Sequence, residues 1–486
     1  VITLRPYQQT LFDGVQAAMR SGVRSVLAVS PCGSGKTVIF SYMASVVSGK
    51  GMRNYIVAHR DELLDQISGT LGDFGVAHSF IAAGRPYDKR LPVQVCSVMT
   101  LAGRLAKQAA KRYHPGSSDY IYQPNLFTLD EAHHAVAGSW GKVFDLCPEA
   151  FKAGFTATPE RLDGKGLGDR FQHMVRGPGV RELIDMGALS DYRLFAPGGI
   201  DVRAVHSLAG DFNKGELAKA ADRPSITGDA VAHYRRLAAG KRAIVYCVSV
   251  VHAEHVAEQF RAAGFAFYSI DGTMAPDVRK DLVRKFRAGI IQGLTSVDLV
   301  SEGFDLPAIE VAIMLRPTQS LGLWIQQSSR ALRPFEGKAK ALILDHAGNC
   351  ERLGMPDDER KWTLEGRRGK GREGDGPVAQ PTRTCPKCFA VYPIYVQACS
   401  YVHADGTACG HKFEAQAREI EHKDGELVEV DTAAVRAQRK DEERACKTEQ
   451  ELYELGVRRK YKFPRAWAHH TMQRRQAWRL QQGRAA

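Results

Sequence analysis

The sequence predicts an α/β protein: two parallel-sheet domains in tandem, then a small Cys-rich module and a basic helical segment. Three observations predict this order. Short β-rich runs alternate with Leu- and Ala-rich helical stretches up to about residue 190, the mark of a parallel sheet covered on both faces. The alternation restarts at Arg242. After Asp345 it ends, and Gly, Pro, Cys and cationic residues take over.

In the first domain (1–195), residues 25–29, 54–58, 92–97, 126–129 and 153–156 read as buried strands. In the second (222–350), residues 243–248, 266–270, 293–295, 310–314 and 340–344 do so. Residues 351–384 contain Gly366-Arg367-Arg368-Gly369-Lys370-Gly371-Arg372 and read as a flexible basic linker. The Cys-rich module occupies 385–413, and 414–486 reads as polar helix.

A content of 44% hydrophobic and 25% charged residues excludes a collagen-like or mainly disordered chain. The 67 Lys and Arg against 54 Asp and Glu give +13, which suggests a polyanionic partner. The charge is uneven. Residues 434–486 hold 14 basic and 6 acidic residues, a net +8, which leaves +5 for the preceding 433. No apolar run approaches the ~18–20 residues of a membrane helix. The Val1-Ile2-Thr3-Leu4-Arg5-Pro6 start has no leader pattern. Six of the ten cysteines are scattered singly, which fits a reducing, cytoplasmic setting.

Ser30-Pro31-Cys32-Gly33-Ser34-Gly35-Lys36-Thr37 follows a strand and opens a helix, the context of a phosphate-binding loop. Gly33, Ser34 and Gly35 turn backbone N–H groups toward phosphate, and the helix adds its positive end. Lys36 would reach the β- and γ-phosphates of ATP, and Thr37 would hold Mg²⁺. Asp130-Glu131-Ala132-His133 ends an apolar strand, which brings adjacent carboxylates beside that loop. Asp130 would hold Mg²⁺, and Glu131 would orient and deprotonate the attacking water. His134 reads as a solvated helix-start residue.

With these motifs the sequence resembles the DEAH-box superfamily 2 helicases and translocases over about residues 1–350. Arg5-Pro6-Tyr7-Gln8 resembles the Q-motif, and Ala58-His59-Arg60-Asp61-Glu62-Leu63 resembles motif Ia. Phe155-Thr156-Ala157-Thr158-Pro159 resembles motif III, and residues 243–249 resemble motif IV. Leu294-Thr295-Ser296 through Ser301-Glu302-Gly303-Phe304-Asp305-Leu306-Pro307 resembles motif V. Gln326-Gln327-Ser328-Ser329-Arg330-Ala331-Leu332-Arg333 resembles motif VI, with Ser329 where Gly is usual. Among bacterial members, the likeness is to RadD-type helicases and their phage relatives.

The resemblance implies two RecA-like lobes with ATP between them. Arg5 and Gln8 would meet adenine, Gly303 and Asp305 the ribose or arginine region, and residues 58–63 a nucleic-acid backbone. Arg330 and Arg333 would cross from the second lobe to the γ-phosphate, where an arginine is worth about 10³–10⁵ in rate. Cys32 stands where the family usually has Thr; a thiol there is either a point of sensitivity to alkylation or oxidation or an inert buried Cys.

Cys385-Pro386-Lys387-Cys388 is a C-x₂-C knuckle, followed by Cys399 and Cys409. Four thiols within 25 residues favour a zinc-ribbon-like Zn²⁺ site, with 400–408 as an inserted loop and His403 or His411 as alternative ligands. In the tail, Trp467 and Trp478 stand among Arg and Lys; the aromatics favour packing and the cations phosphate contact. The resulting expectation is a monomeric ATP-dependent helicase or translocase of a bacterial cell or a phage, with DNA favoured over RNA. An ATP-gated clamp without translocation and an RNA helicase are the alternatives.

Overall fold

The computed structural model describes residues 2–136, 138–161, 165–196, 202, 205–208, 211–221, 224–297, 309–366, 382–403, 405–413, 441–459, 464–465, 467–469, 471–473 and 475. It divides into two units, 1–414 and 415–486.

The first unit holds two parallel sheets. In chain order the first contains β1 (Ser25–Val29), β2 (Asn54–Ala58), β3 (His78–Ile81), β4 (Val93–Ser97), β5 (Leu126–Leu129), β6 (Phe151–Thr156) and β7 (His173–Arg176). Their spatial order is β3-β4-β2-β5-β6-β1-β7, every neighbour parallel. Around them pack α1 (Pro6–Arg20), α2 (Lys36–Ser48), α3 (Asp61–Asp73), α4 (Val98–Ala109) and α5 (Gly138–Leu146). β1 and β2 are buried along their whole length, as a sheet covered on both faces requires.

The second sheet contains β8 (Tyr192–Phe195), β11 (Ala243–Tyr246), β12 (Phe267–Ser269), β13 (Gly293–Ser296), β14 (Val311–Met314) and β15 (Ala341–Asp345). Its order is β12-β13-β11-β14-β15-β8, again all parallel. A short hairpin, β9 (Ser207–Leu208) and β10 (Asp211–Phe212), lies between β8 and β11 in the chain. The helices here are α6 (Val180–Asp185), α7 (Lys214–Ala221), α8 (Pro224–Ala238), α9 (Val250–Ala262), α10 (Pro276–Arg287), α11 (Leu321–Ala331) and α12 (Asn349–Leu353).

All the predicted strands are present, with ends shifted by one or two residues. β3, β7 and β8 were not expected. β3 and β7 are edge strands with mixed or poor burial, so they lack the apolar run that marks a central strand. β8 lies within the stretch 1–195 read as the first domain, yet it pairs with β15 in the second sheet. Val180, Leu183 and Leu189 also join the second core. The chain therefore crosses between lobes before residue 195.

The stretch read as a flexible linker also differs. Residues 355–366 form a packed strap, and 367–381 lie outside the described residues. Trp362 touches the cores of both lobes. Leu364 accepts a hydrogen bond from the Gly168 N–H (2.8 Å), and Gly366 bridges Lys165. Met355, Trp362 and Leu364 anchor this strap, and the surrounding Gly and charged residues mask them in an averaged composition.

The Cys-rich module contains β16 (Thr382–Thr384) and β17 (Val391–Pro393), paired antiparallel. It covers the open edge of β8: Ala196 N–H donates to the Phe389 carbonyl (3.0 Å), and Phe195 bridges Ala390. In the second unit, α13 (Glu449–Arg458) begins at a capping box formed by Thr448 and Glu451. Within that unit, Trp467 packs against Gly456, as expected for a core aromatic. Trp478 lies outside the described residues. Among the described residues no helix is long and apolar enough to cross a membrane.

Candidate nucleotide site and nucleic-acid cleft

The strand order places three loops side by side. β5, β6 and β1 are neighbours, so Asp130, Thr156 and Ser30 stand at adjacent strand ends. Parallel strands all deliver their C-terminal ends to one edge, where such sheets bind ligands.

The Ser30–Thr37 loop is held from inside. Gly33 and Gly35 both have φ of +84°, a region costly for other residues. At Gly35 a Cβ would also collide with the Gln8 amide. Gln8 is buried, donates from Nε2 to the Ser34 carbonyl (3.0 Å) and accepts from the Arg5 main-chain N–H (3.0 Å). The Tyr7 hydroxyl donates to the same Ser34 carbonyl (3.0 Å). The Lys36 ammonium is buried and donates to the carbonyls of Ser30 (3.2 Å) and Pro31 (3.4 Å). Thr37 follows it in the first turn of α2, half-buried.

Asp130 is buried, and burial is the main force pushing its carboxyl above the usual range. The neighbouring Glu131 charge adds to that rise, and Lys36 opposes it. A buried acid so close to a second one suits a divalent cation, which would relieve both penalties. Glu131 adopts a left-handed backbone (φ +48°, ψ +52°), costly for a non-Gly residue and concentrated at functional sites. His133 Nδ1 lies 3.4 Å from Glu131 Oε2 and 3.2 Å from Thr156 Oγ1. Cys32 is buried within the loop.

The second lobe supplies α11. Its Ser320 side chain accepts from the Leu323 N–H, capping the helix that carries Arg330. Arg330 is buried. A Cβ at Gly33 would stand 3.3 Å from Arg333 Cγ, so the phosphate loop and the motif VI segment already meet across the lobes. Gly303 and Asp305 lie outside the described residues.

Two further residues hold the arginine segment, and neither was singled out from sequence. The Tyr246 hydroxyl, at the end of β11, donates to the Gln327 carbonyl (3.2 Å) beside Arg330 and Arg333. The Lys338 ammonium donates to the carbonyls of Ala331, Arg333 (2.8 Å) and Ile309 (2.9 Å). Burial lowers the Lys338 pKa to about 8. A polar-tipped Tyr ending an aliphatic strand was a readable signal; a lone loop lysine was not.

A second opening of about 580 Å³ lies between the lobes, lined by His59, Arg60, Glu62, Asp271, Arg279 and Ser296. Glu62 and Arg279 form an ion pair across it (2.9 Å).

In the Cys module the four sulfurs of Cys385, Cys388, Cys399 and Cys409 lie within 4.8 Å of one another. The closest pairs are Cys388–Cys399 (3.4 Å) and Cys385–Cys409 (3.7 Å). These are too long for disulfides. Tetrahedral Zn–S bonds of about 2.3 Å place sulfurs roughly 3.8 Å apart, so the four thiols fit that ion. The inserted stretch 400–408 folds back on itself through the Val402–Ala408 bridge, which carries Cys409 to the knuckle. His403 packs on Tyr401 and His411 on Phe413, outside the cluster.

The fold and site thus define a two-lobed nucleotide-dependent enzyme acting on nucleic acid. Residues 1–161 match the family described as type III restriction enzyme, res subunit, and 228–334 match the helicase conserved C-terminal domain. A 51.5 kDa protein of Lactococcus phage (isolate 7-9) is 32% identical over 387 residues, covering 80% of this chain and 78% of that one. IRC3 of Saccharomyces cerevisiae, provisionally named an ATP-dependent helicase, is 29% identical; the match covers 71% of this chain and 51% of IRC3. The solved type ISP restriction-modification enzyme LlaBIII, bound to DNA, shares the fold with a TM-score of 0.52 and 17% identity, over 70% of this chain and 27% of that one. The chain belongs to the superfamily 2 helicases and is an ATP-hydrolysing enzyme that acts on nucleic acid.

Proposed function

We propose that this helicase works on DNA, with its nucleotide site shared between the lobes and its strand-binding cleft beside His59 and Arg60. The approach of Gly33 to Arg333 across the lobes is the observation that supports the shared nucleotide site. It means that lobe closure and completion of the phosphate site are one event.

In this reading the 33–37 backbone and Lys36 hold the phosphates. Thr37 and Asp130 hold Mg²⁺, which neutralises phosphate charge when bound. Glu131 orients the attacking water and accepts its proton. Arg330 and Arg333 stabilise the charge that develops on the transferred phosphoryl group. The Gln8 amide retains a second N–H and a second lone pair for the adenine edge, with Arg5 beside it. Gly303 and Asp305 are assigned to the ribose or arginine region by family resemblance. Cys385, Cys388, Cys399 and Cys409 bind a structural Zn²⁺. One chain carries both halves of the nucleotide site, which supports a monomer.

The restriction-enzyme family match and the DNA bound to the solved relative support DNA over RNA. The phage relative supports a bacterial or phage setting. The test is the ATPase rate with single-stranded, duplex and forked DNA and with RNA. DNA should stimulate and RNA should not; equal stimulation by RNA would overturn the DNA assignment.

A further inference from the structure

Sequence placed His134 as a solvated residue. In the structure it is half-buried between two other histidines. Its ring centroid lies 5.0 Å from His59 and 4.2 Å from His133. The three rings join two sites that the chain otherwise separates. His59 lines the interlobe cleft, where the Arg60 Nε donates to its Nε2 (3.3 Å). His133 stands against the Glu131 carboxylate and the Thr156 hydroxyl. The contacts continue onward: Thr156 donates to the Thr158 carbonyl (2.9 Å), and the Thr158 hydroxyl abuts Gly322 in α11.

We propose that His134 is a positioning residue that carries occupancy of the His59–Arg60 cleft to the Glu131 carboxylate. The inference rests on the reading that nucleic acid lies in that cleft. A phosphate drawing Arg60 away changes what holds His59. His59 is packed edge-on to His134, and His134 is packed on His133, so a shift of one ring displaces the next. Glu131 responds because its backbone occupies a sparsely populated conformation, which small shifts in its surroundings can tip. Packed chains of this kind transmit coupling only if both ends bias the same element, so the warrant must be a measured coupling.

The experiment measures ATPase activity of the full chain with and without saturating oligo-dT, alongside oligonucleotide affinity and the KM for ATP. The variants are His134→Ala, His134→Phe, His59→Ala and the His59→Ala/His134→Ala pair. In His134→Ala, stimulation should fall by about tenfold, within the range that coupling between sites spans. Basal kcat, KM for ATP and oligonucleotide affinity should stay within about twofold. His134→Phe keeps a packed ring and should restore most of the stimulation. The double variant should be no worse than the poorer single one, as for two links of one chain. Unchanged stimulation in His134→Ala overturns the proposal while leaving the cleft assignment intact. So does an equal fall in basal and stimulated rates, which indicates a general structural role. No stimulation of the unaltered chain by any DNA overturns both the proposal and the reading beneath it.

Discussion

The nucleotide site and the cysteine cluster each gather several polar groups into a small volume, but they are built in opposite ways. At the nucleotide site, three parallel strands deliver Ser30, Asp130 and Thr156 to one sheet edge, and buried hydrogen bonds from Gln8 and Tyr7 fix the loop. The scaffold there is apolar core, so it forms whether or not phosphate is bound. The cysteine cluster is held by turns and two short strands, with its thiols at the centre. Much of its apolar support is borrowed: Cys385, Cys388, Cys399 and Tyr401 share a core with Phe195 and other second-lobe residues. One site is a surface of an apolar scaffold; the other places four thiols at the centre of a small module.

The contrast is sharpest in what single substitutions do. Lys36→Ala and Glu131→Gln should lower ATP turnover by about 10³-fold or more, with the Glu131→Gln protein still binding ATP and melting like the parent. Arg330→Ala should cost about as much, the loss expected for a cation that stabilises the transferred phosphoryl group. A steady-state assay paired with fluorescent-nucleotide binding measures all three. Near-normal turnover in any of them would remove that residue from the site.

For the cysteine cluster the same kind of change should act on folding. The protein should contain one Zn²⁺ per chain by elemental analysis. Cys388→Ser, or removal of the ion by a chelator, should lower the melting temperature by about 5 °C or more, a loss of a few kcal/mol for a chain this size. The basal ATPase rate at low temperature should change much less. Zinc absent from protein purified without chelator would show that second-lobe packing alone holds the module.

A smaller effect is expected where the two kinds of construction meet, at the arginine segment. Tyr246→Phe and Lys338→Met remove hydrogen bonds behind Arg330 and Arg333 without touching phosphate. Each should lower kcat by about tenfold, the worth of one or two hydrogen bonds, with KM nearly constant. Lys338 also has a pH signature. Burial holds its folded pKa near 8, below the unfolded value of about 10.4. Between those values the unfolded chain binds more protons, so stability should rise with pH across about 8 to 10.4. It should be lost as pH falls through 8, and Lys338→Met should flatten that slope in urea-unfolding titrations.

How legible each part was follows from the same contrast. The central strands were readable because a doubly covered strand is a continuous apolar run. The phosphate loop and acidic pair were readable because their chemistry requires fixed residue types at fixed spacing. β8 was not, because its pairing with β15 is set by tertiary contact far along the chain. The strap was hidden because its few apolar anchors, Met355, Trp362 and Leu364, stand amid polar residues. His134 and Lys338 act through what surrounds them, and no local pattern encodes that.

The basic tail carries the smallest predicted effect, and three of its described arginines are already engaged. Its net charge of +8 suggested phosphate contact by its cations. Within the second unit, however, Arg459 pairs with Glu442 (2.9 Å) and Arg444 with Asp441 (3.5 Å). Arg475 is engaged by the carbonyls of Cys446 and Glu443. Cations spent internally release few counterions on binding. Deleting 434–486 should therefore weaken DNA binding by about tenfold or less at moderate salt. The slope of log affinity against log salt should become shallower by about 2–4, well short of the roughly 7 that eight fully engaged phosphates would give. A change near 7 would mean that those ion pairs open on DNA. An unchanged slope would mean that the tail makes no phosphate contact and the lobes alone hold the strand.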